Sequence, residues 1–180
     1  ERNLLSFGLQ RDVVSGDGNC CFASIATSLN KLTLLEGNAD LVNFFTSLGL
    51  CKNIESDTAR LRQLFCDEVA ANKENYQMWV DFDIAEEIEK FSQSGWFNSS
   101  LGDLCVFACS NILKMTIVVI TSITSVPFIP FIPKETLTDI AIYIAFNHYN
   151  PGHYDATKDA SGEDSAETES KVESICTCEA

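Results

Sequence analysis

The chain has eight cysteines and only two histidines, and one of the cysteines stands where a reactive thiol would be useful. In Ser15-Gly16-Asp17-Gly18-Asn19-Cys20-Cys21-Phe22 a turn-forming tetrapeptide runs into an apolar stretch. Turn chemistry followed by helical spacing puts Asn19 and Cys20 at a loop-to-helix junction. The first backbone N–H groups of a helix lack internal partners and carry the positive end of its dipole, so they favour a thiolate and can hold an oxyanion. Gly16 and Gly18 let the preceding backbone approach a substrate carbonyl. Taken alone, a cysteine here is more ordinarily a small buried residue near a helix start.

A thiol also needs a base, because at a pKa near ~8.5 only a few per cent is ionised at neutral pH, and a neighbouring imidazole can take the proton. Both histidines lie in Asn147-His148-Tyr149-Asn150-Pro151-Gly152-His153-Tyr154-Asp155. Along a strand, residues i and i+2 face the same way, so Asp155 can accept a hydrogen bond from the far ring nitrogen of His153. That gives a Cys–His–Asp triad in the chain order Cys20, His153, Asp155. His148, with Asn150 as its orienter, is the competing base; its ordinary role is a hairpin-end histidine bonded to the loop.

The elements that must position these groups can be read from spacing. Phe22, Ile25, Ala26, Leu29 and Leu32 recur at threes and fours, which predicts a helix with one buried stripe from Cys20 to Leu32. Asn38 or Asp40 opens a second helix that stops near Gly49. Ser56 or Asp57 caps a third, with Leu61, Leu64, Phe65, Val69 and Ala70 as its inner face. Asp81 and Asp83 lead into a short amphipathic helix, Ile84 to Phe91; a Gly-Trp loop follows, then a buried helix from Leu101 to Leu113.

Met115 to Thr121 is a β-branched run suited to a sheet interior, and Ile140 to Phe146 is a second strand. Pro127, Pro130 and Pro133 favour an extended surface loop between them. After the Asn150-Pro151-Gly152 turn, His153 to Ala156 returns as a paired strand. Leu4 to Leu9 alternates weakly and reads as an opening strand.

Composition bounds the rest. A length of 180 residues with 46% apolar content suits one domain with a core of ordinary size. The net charge of −14 and the lack of clustered Lys/Arg argue against nucleic acid as a partner and suit a basic protein surface instead. The longest apolar stretch, Ile117 to Ile132, is interrupted by three prolines and several hydroxyl residues, so no membrane span is expected. Four cysteines fall in helical patterns without small-scaffold spacing, so reduced thiols and an intracellular setting are expected. Residues 158–180 are predicted to be a disordered acidic tail after a domain at 1–157. The missing initiator methionine suggests a segment of a longer product.

Taken together, Asp17-Gly18-Asn19-Cys20-Cys21-Phe22, Gly95-Trp96 followed by Leu101-Gly102-Asp103-Leu104, the Ala108-to-Leu113 helix, the Ile117-to-Ile120 strand and Gly152-His153-Tyr154-Asp155 resemble the OTU (ovarian-tumour) cysteine proteases. The resemblance covers roughly residues 10 to 157. It implies an α/β (α+β) fold of papain-like site geometry, a small central sheet flanked by helices, and deubiquitinase activity on ubiquitin or polyubiquitin without metal or cofactor. Cys20 then matches the nucleophile, His153 the base and Asp155 the third member. Asp17 matches a loop aspartate that shapes the oxyanion hole, with backbone N–H groups around Asp17 to Cys20, those of Asp17, Gly18 and Asn19 among them, toward the carbonyl oxygen. The family usually has leucine where Cys21 stands; a helix beginning here rotates Cys21 by about 100° toward the core.

Three other readings compete. An OTU-like scaffold with a misaligned triad would only bind ubiquitin. A protease of this type could serve another modifier or a longer polyprotein. A metal-binding domain would draw on His148, His153 and some of Cys20, Cys21, Cys176 and Cys178, whose spacing fits poorly. Trp96 could line a channel for the diglycine tail of ubiquitin, although packing is its commoner role.

Overall fold

A run of β-branched residues with no polar face can be satisfied only by cover on both sides, and the sheet is built around such a run. The structure, a computed structural model, describes residues 1–34, 39–97, 100–149 and 152–160. Strands β1 (Leu9–Asp12), β2 (Thr116–Thr121), β3 (Phe128–Phe131), β4 (Ala141–Asn147) and β5 (His153–Asp159) form one sheet in the order β1-β5-β4-β2-β3. Only β2 and β4 run parallel; the other pairs are antiparallel. Ile117 and Val119 point into the main core, Val118 and Ile120 into a smaller one on the opposite face. The fold is thus mixed α/β, a small central sheet with helices against it.

The helices are α1 (Arg2–Ser6), α2 (Cys20–Thr33), α3 (Ala39–Ser47), α4 (Ile54–Ala71), α5 (Lys73–Gln77), α6 (Ile84–Phe91) and α7 (Cys105–Leu113). Helix α2 is the central one, packed between β5 and β4 on one side and α4 on the other. Two of its buried hydroxyls are paired internally: Ser24 donates to the Cys20 carbonyl at 2.7 Å and Ser28 to the Tyr143 carbonyl at 3.2 Å. Phe22, Phe65 and Phe91 meet as a cluster of tilted and edge-on rings, joining α2, α4 and α6.

Several expectations needed correction. Leu4 to Leu9 is not a strand: Arg2–Ser6 is helical, Leu4 and Phe7 cover the smaller core, and Gly8 turns the chain with φ 71° into β1. The cap of α4 is Asn53, which accepts from the Ser56 N–H, while Asp57 is buried one turn on and holds the Cys51 and Lys52 N–H groups. Ala70 lies outside the inner face of α4, where Arg62 and Cys66 are buried instead. Ser100–Leu104 is a 3-10 turn, not α-helix; the Phe97 ring presses on Gly102, where a Cβ would meet it at 2.9 Å. The proline segment does pair, as β3, and as an edge strand it tolerates Pro130. Helix α5 had no distinct signal. Strand β5 runs on to Asp159, while Asn38, Asn150, Cys176, Cys178 and the acidic tail from residue 161 lie outside the described residues.

Candidate active site

Helix α2 begins at Cys20, and β5 lies along it beginning at His153, so the two chemical residues sit at the ends of abutting elements. The Cys20 residue is 6% exposed. Burial pushes its thiol above the ordinary value, and Cys21 and Asp17 add to that; the backbone N–H groups of Tyr154 and Cys21 pull it part of the way back. Burial is the largest of these influences, and it opposes formation of the thiolate. Ionisation then requires a proton acceptor beside it.

The candidate acceptor, His153, is one residue from Tyr154, whose backbone N–H meets the Cys20 thiol. His153 Nε2 lies 3.1 Å from Asp155 Oδ1. Asp155 is 1% exposed, and its Oδ1 also accepts from the Val14 N–H at 3.1 Å, while Oδ2 accepts from Arg11 at 3.2 Å. A carboxylate that accepts this many bonds requires the ring proton on Nε2, which leaves the Nδ1 lone pair free for proton transfer. The open side of Nδ1 is bordered by Gly16, where a Cβ would stand 3.8 Å away.

The loop before Cys20 is held from beneath. Gly18 has φ 80° and Gly95 φ 81°, and a Cβ on Gly18 would fall 2.0 Å from the Gly95 carbonyl oxygen, so the two loops touch backbone to backbone. Asp17 Oδ1 accepts from the Asn19 N–H at 3.0 Å. Of the N–H groups expected to face an oxyanion, that of Asn19 is therefore already committed. The Cys20 N–H, at the first helical position, has no intrahelical acceptor. Arg62, from α4, donates to Gly18 and Asn19 on one loop and to Phe91 and Trp96 carbonyls on the other.

The other sequence candidates are placed elsewhere. His148 Nδ1 is 2.6 Å from the Ser122 hydroxyl, and its exposed ring lies tilted against Tyr149 on the other arm of the hairpin from His153. Cys21 is fully buried, facing Cys105. The Trp96 ring is partly exposed beside the Gly18 contact. Among the described residues, no three His, Cys, Asp or Glu side chains converge as metal ligands would. No helix there is long and apolar enough to cross a membrane.

Sequence reasoning missed Arg11, Val14 and Arg62. The first two act only through sheet register. For Arg62 a signal existed: it is a charged residue in line with Cys66 and Val69, on the buried stripe of α4.

A family model described as OTU-like cysteine protease matches residues 15–155, from the Gly16 turn through Asp155. The chain belongs to the OTU family. Among solved structures it is similar to the OTU domain of OTUD1, at 18% identity and TM-score 0.56, covering 88% of this chain and 91% of that one. An ovarian tumor (OTU) domain in complex with ubiquitin gives 19% identity, TM-score 0.58 and coverage of 92% and 81%. The Hazara virus OTU bound to ubiquitin gives 15%, 0.53, 84% and 81%. At these identities the likeness shows the fold alone. No curated protein matches the sequence.

Proposed function

We propose that this OTU protein is a deubiquitinase that hydrolyses isopeptide bonds at the C-terminus of ubiquitin through Cys20, His153 and Asp155. The observation that carries the reading is the His153–Asp155 hydrogen bond at 3.1 Å, on a carboxylate fixed by Val14 and Arg11, at the strand end beside the Cys20 helix. Ubiquitin is the substrate chosen because OTU domains of the same fold are found in complex with it.

His153 Nδ1 takes the Cys20 proton as Sγ attacks the carbonyl carbon of the C-terminal glycine, and the carbonyl π pair moves to oxygen. The open end of α2, led by the Cys20 N–H, receives that oxyanion, with the Asp17–Asn19 loop shaping the wall around it. When the tetrahedral species collapses, the C–N bond breaks and His153 returns the proton to the departing lysine amine. Water then adds to the thioester, giving its proton to His153, and the acid product leaves as the thiol is restored. No cofactor enters these steps.

The test is intact mass after incubation with a ubiquitin probe bearing a C-terminal thiol-reactive warhead. One adduct is expected on the wild type and on Cys21→Ala, none on Cys20→Ala, and slower addition on His153→Ala. No adduct on folded wild type would favour a binding module or a different modifier.

A further inference from the structure

Asp155 is bonded through both of its carboxylate oxygens, and the donors other than His153 come from outside the part of the chain that matches the family. The match opens at residue 15, whereas Val14 and Arg11 stand just before it. Oδ1 accepts from the Val14 N–H and from His153 Nε2, each at 3.1 Å. Oδ2 accepts from Arg11 Nη1 at 3.2 Å, and among the described residues Arg11 is its one donor.

Two bonds on one oxygen do not fix a carboxylate. The last torsion of an aspartate is broad and roughly two-fold, so the group can turn about its Cβ–Cγ bond unless the second oxygen is held as well. Burial makes that second bond matter for charge too. The Asp155 side chain is 2% exposed, and a buried carboxylate is costly unless a cation meets it. His153 is a cation only once it has taken a proton, so before attack the carboxylate has Arg11 alone.

Sheet register puts the arginine there. Arg11 is paired with Thr157, and Asp155 lies two residues back on β5, so the two side chains are diagonal neighbours on one face. A long side chain spans that diagonal. Asp155 also stands opposite Ala145, which belongs to the smaller core beneath Leu4 of α1. The carboxylate is thus shut in, while the guanidinium, 42% exposed, stays at the rim. Glu1 meets Arg11 at 3.8 Å from further out, with both side chains exposed, and contributes little.

We infer that Arg11 is a positioning residue, brought by β1 from ahead of the family match, which pins the second oxygen of Asp155 and offsets its buried charge so that Oδ1 stays aligned on His153. Arg11 acts on the reaction only through Asp155, and the inference rests on the hydrolytic reading of Cys20, His153 and Asp155. The strand ahead of the matched segment is then part of the site.

The experiment measures kcat and KM on a fluorogenic ubiquitin C-terminal amide with the whole chain, and thermal melts alongside. Arg11→Met keeps a long stem and removes the charge and its donors. It is expected to lower kcat about tenfold, the low end for a bond between charged groups because the guanidinium is partly exposed, with KM within about twofold. Arg11→Lys restores a cation and is expected to bring kcat back to within about threefold of wild type, a difference between two long stems that packing alone does not predict. Glu1→Gln is the control and should stay within about twofold. The deciding measurement repeats Arg11→Met in an Asp155→Asn background. An arginine that acts through the carboxylate has none to hold there, so the added substitution is expected to cost less than about twofold. An equal loss in both backgrounds, or an Arg11→Met as fast as wild type, overturns the inference. If Arg11→Met does not fold, Arg11→Gln takes its place in the same cycle. A wild type that cleaves nothing sinks the functional reading and this inference together, whereas an active wild type beside an unaffected Arg11→Met sinks this inference alone.

Discussion

The two sides of the candidate site are held by different physics. On the strand side, His153 and Asp155 are two residues apart on β5, and Val14 and Arg11 reach the same carboxylate from β1 and the residues after it, paired alongside. The geometry there follows from a period of two and a sheet register. On the loop side, Asp17 to Asn19 has no repeating structure, and its place is set by one buried cation and one glycine–glycine contact. The strand side spreads its support over a ladder of bonds; the loop side concentrates it in one arginine and one glycine pair. Substitutions should therefore act through chemistry on the first side and through placement on the second.

Asp155→Asn should have the largest effect. The amide can still accept from Val14 but favours the wrong ring tautomer of His153, so kcat is expected to fall by about 10³-fold or more with the fold retained. A kcat within tenfold of wild type, beside an unchanged melt, would remove Asp155 from the mechanism.

Gly18→Ala tests the loop side. A left-handed φ and a Cβ 2.0 Å from the Gly95 oxygen together cost roughly 3 kcal/mol or more. Gly8→Ala is its control, because Gly8 has φ 71° but nothing within 4 Å, so only the strain of about 1 kcal/mol applies. Denaturant melts that rank the two equally would break the contrast between placement and local strain.

Stability at high pH should respond to the buried thiols beneath both sides. Burial pushes Cys66 up to about 11 from an ordinary value of 9.0. Between those values the unfolded chain releases a proton that the folded chain keeps, so stability falls as pH rises from about 9 toward 11. Melting curves of Cys66→Ala should show a shallower decline over that window than wild type; an identical slope contradicts the shift. The smallest effect is expected for His148→Ala, which loses the exposed Ser122 contact and should change kcat less than about twofold. A large loss there would move the base from one arm of the hairpin to the other.

The strand side was legible in the sequence because its rule is local. The His-Tyr-Asp spacing, the turn before it and the helix that starts at Cys20 each need only neighbouring residues to be read. Arg62 is 43 positions from Asn19, and the Gly18–Gly95 contact spans 77 residues, distances over which a single chain shows no pattern. The missed α1 has the same origin: Leu4 and Phe7 are placed by the far face of β2 and its neighbours, and the alternation that suggested a strand was shorter than one turn of sheet evidence requires. Strand β3 was hidden for the opposite reason. Proline argued against a central strand, and the edge position that admits it depends on the order of the whole sheet.

That order has a consequence for how the protein is made. Strand β5 is the last of the described strands, yet it lies between β1, the first of them, and β4. A ribosome releases Cys20 early and His153 late, and until β5 inserts, β1 has no neighbour in the sheet and, on the proposed mechanism, the thiol has no base. The step that closes the sheet is then the step that would arm the thiol. On the proposed mechanism, nascent chains carry a dormant nucleophile through synthesis, and a chain stopped at Gly152 would lack both the strand that joins β1 to β4 and the proposed base.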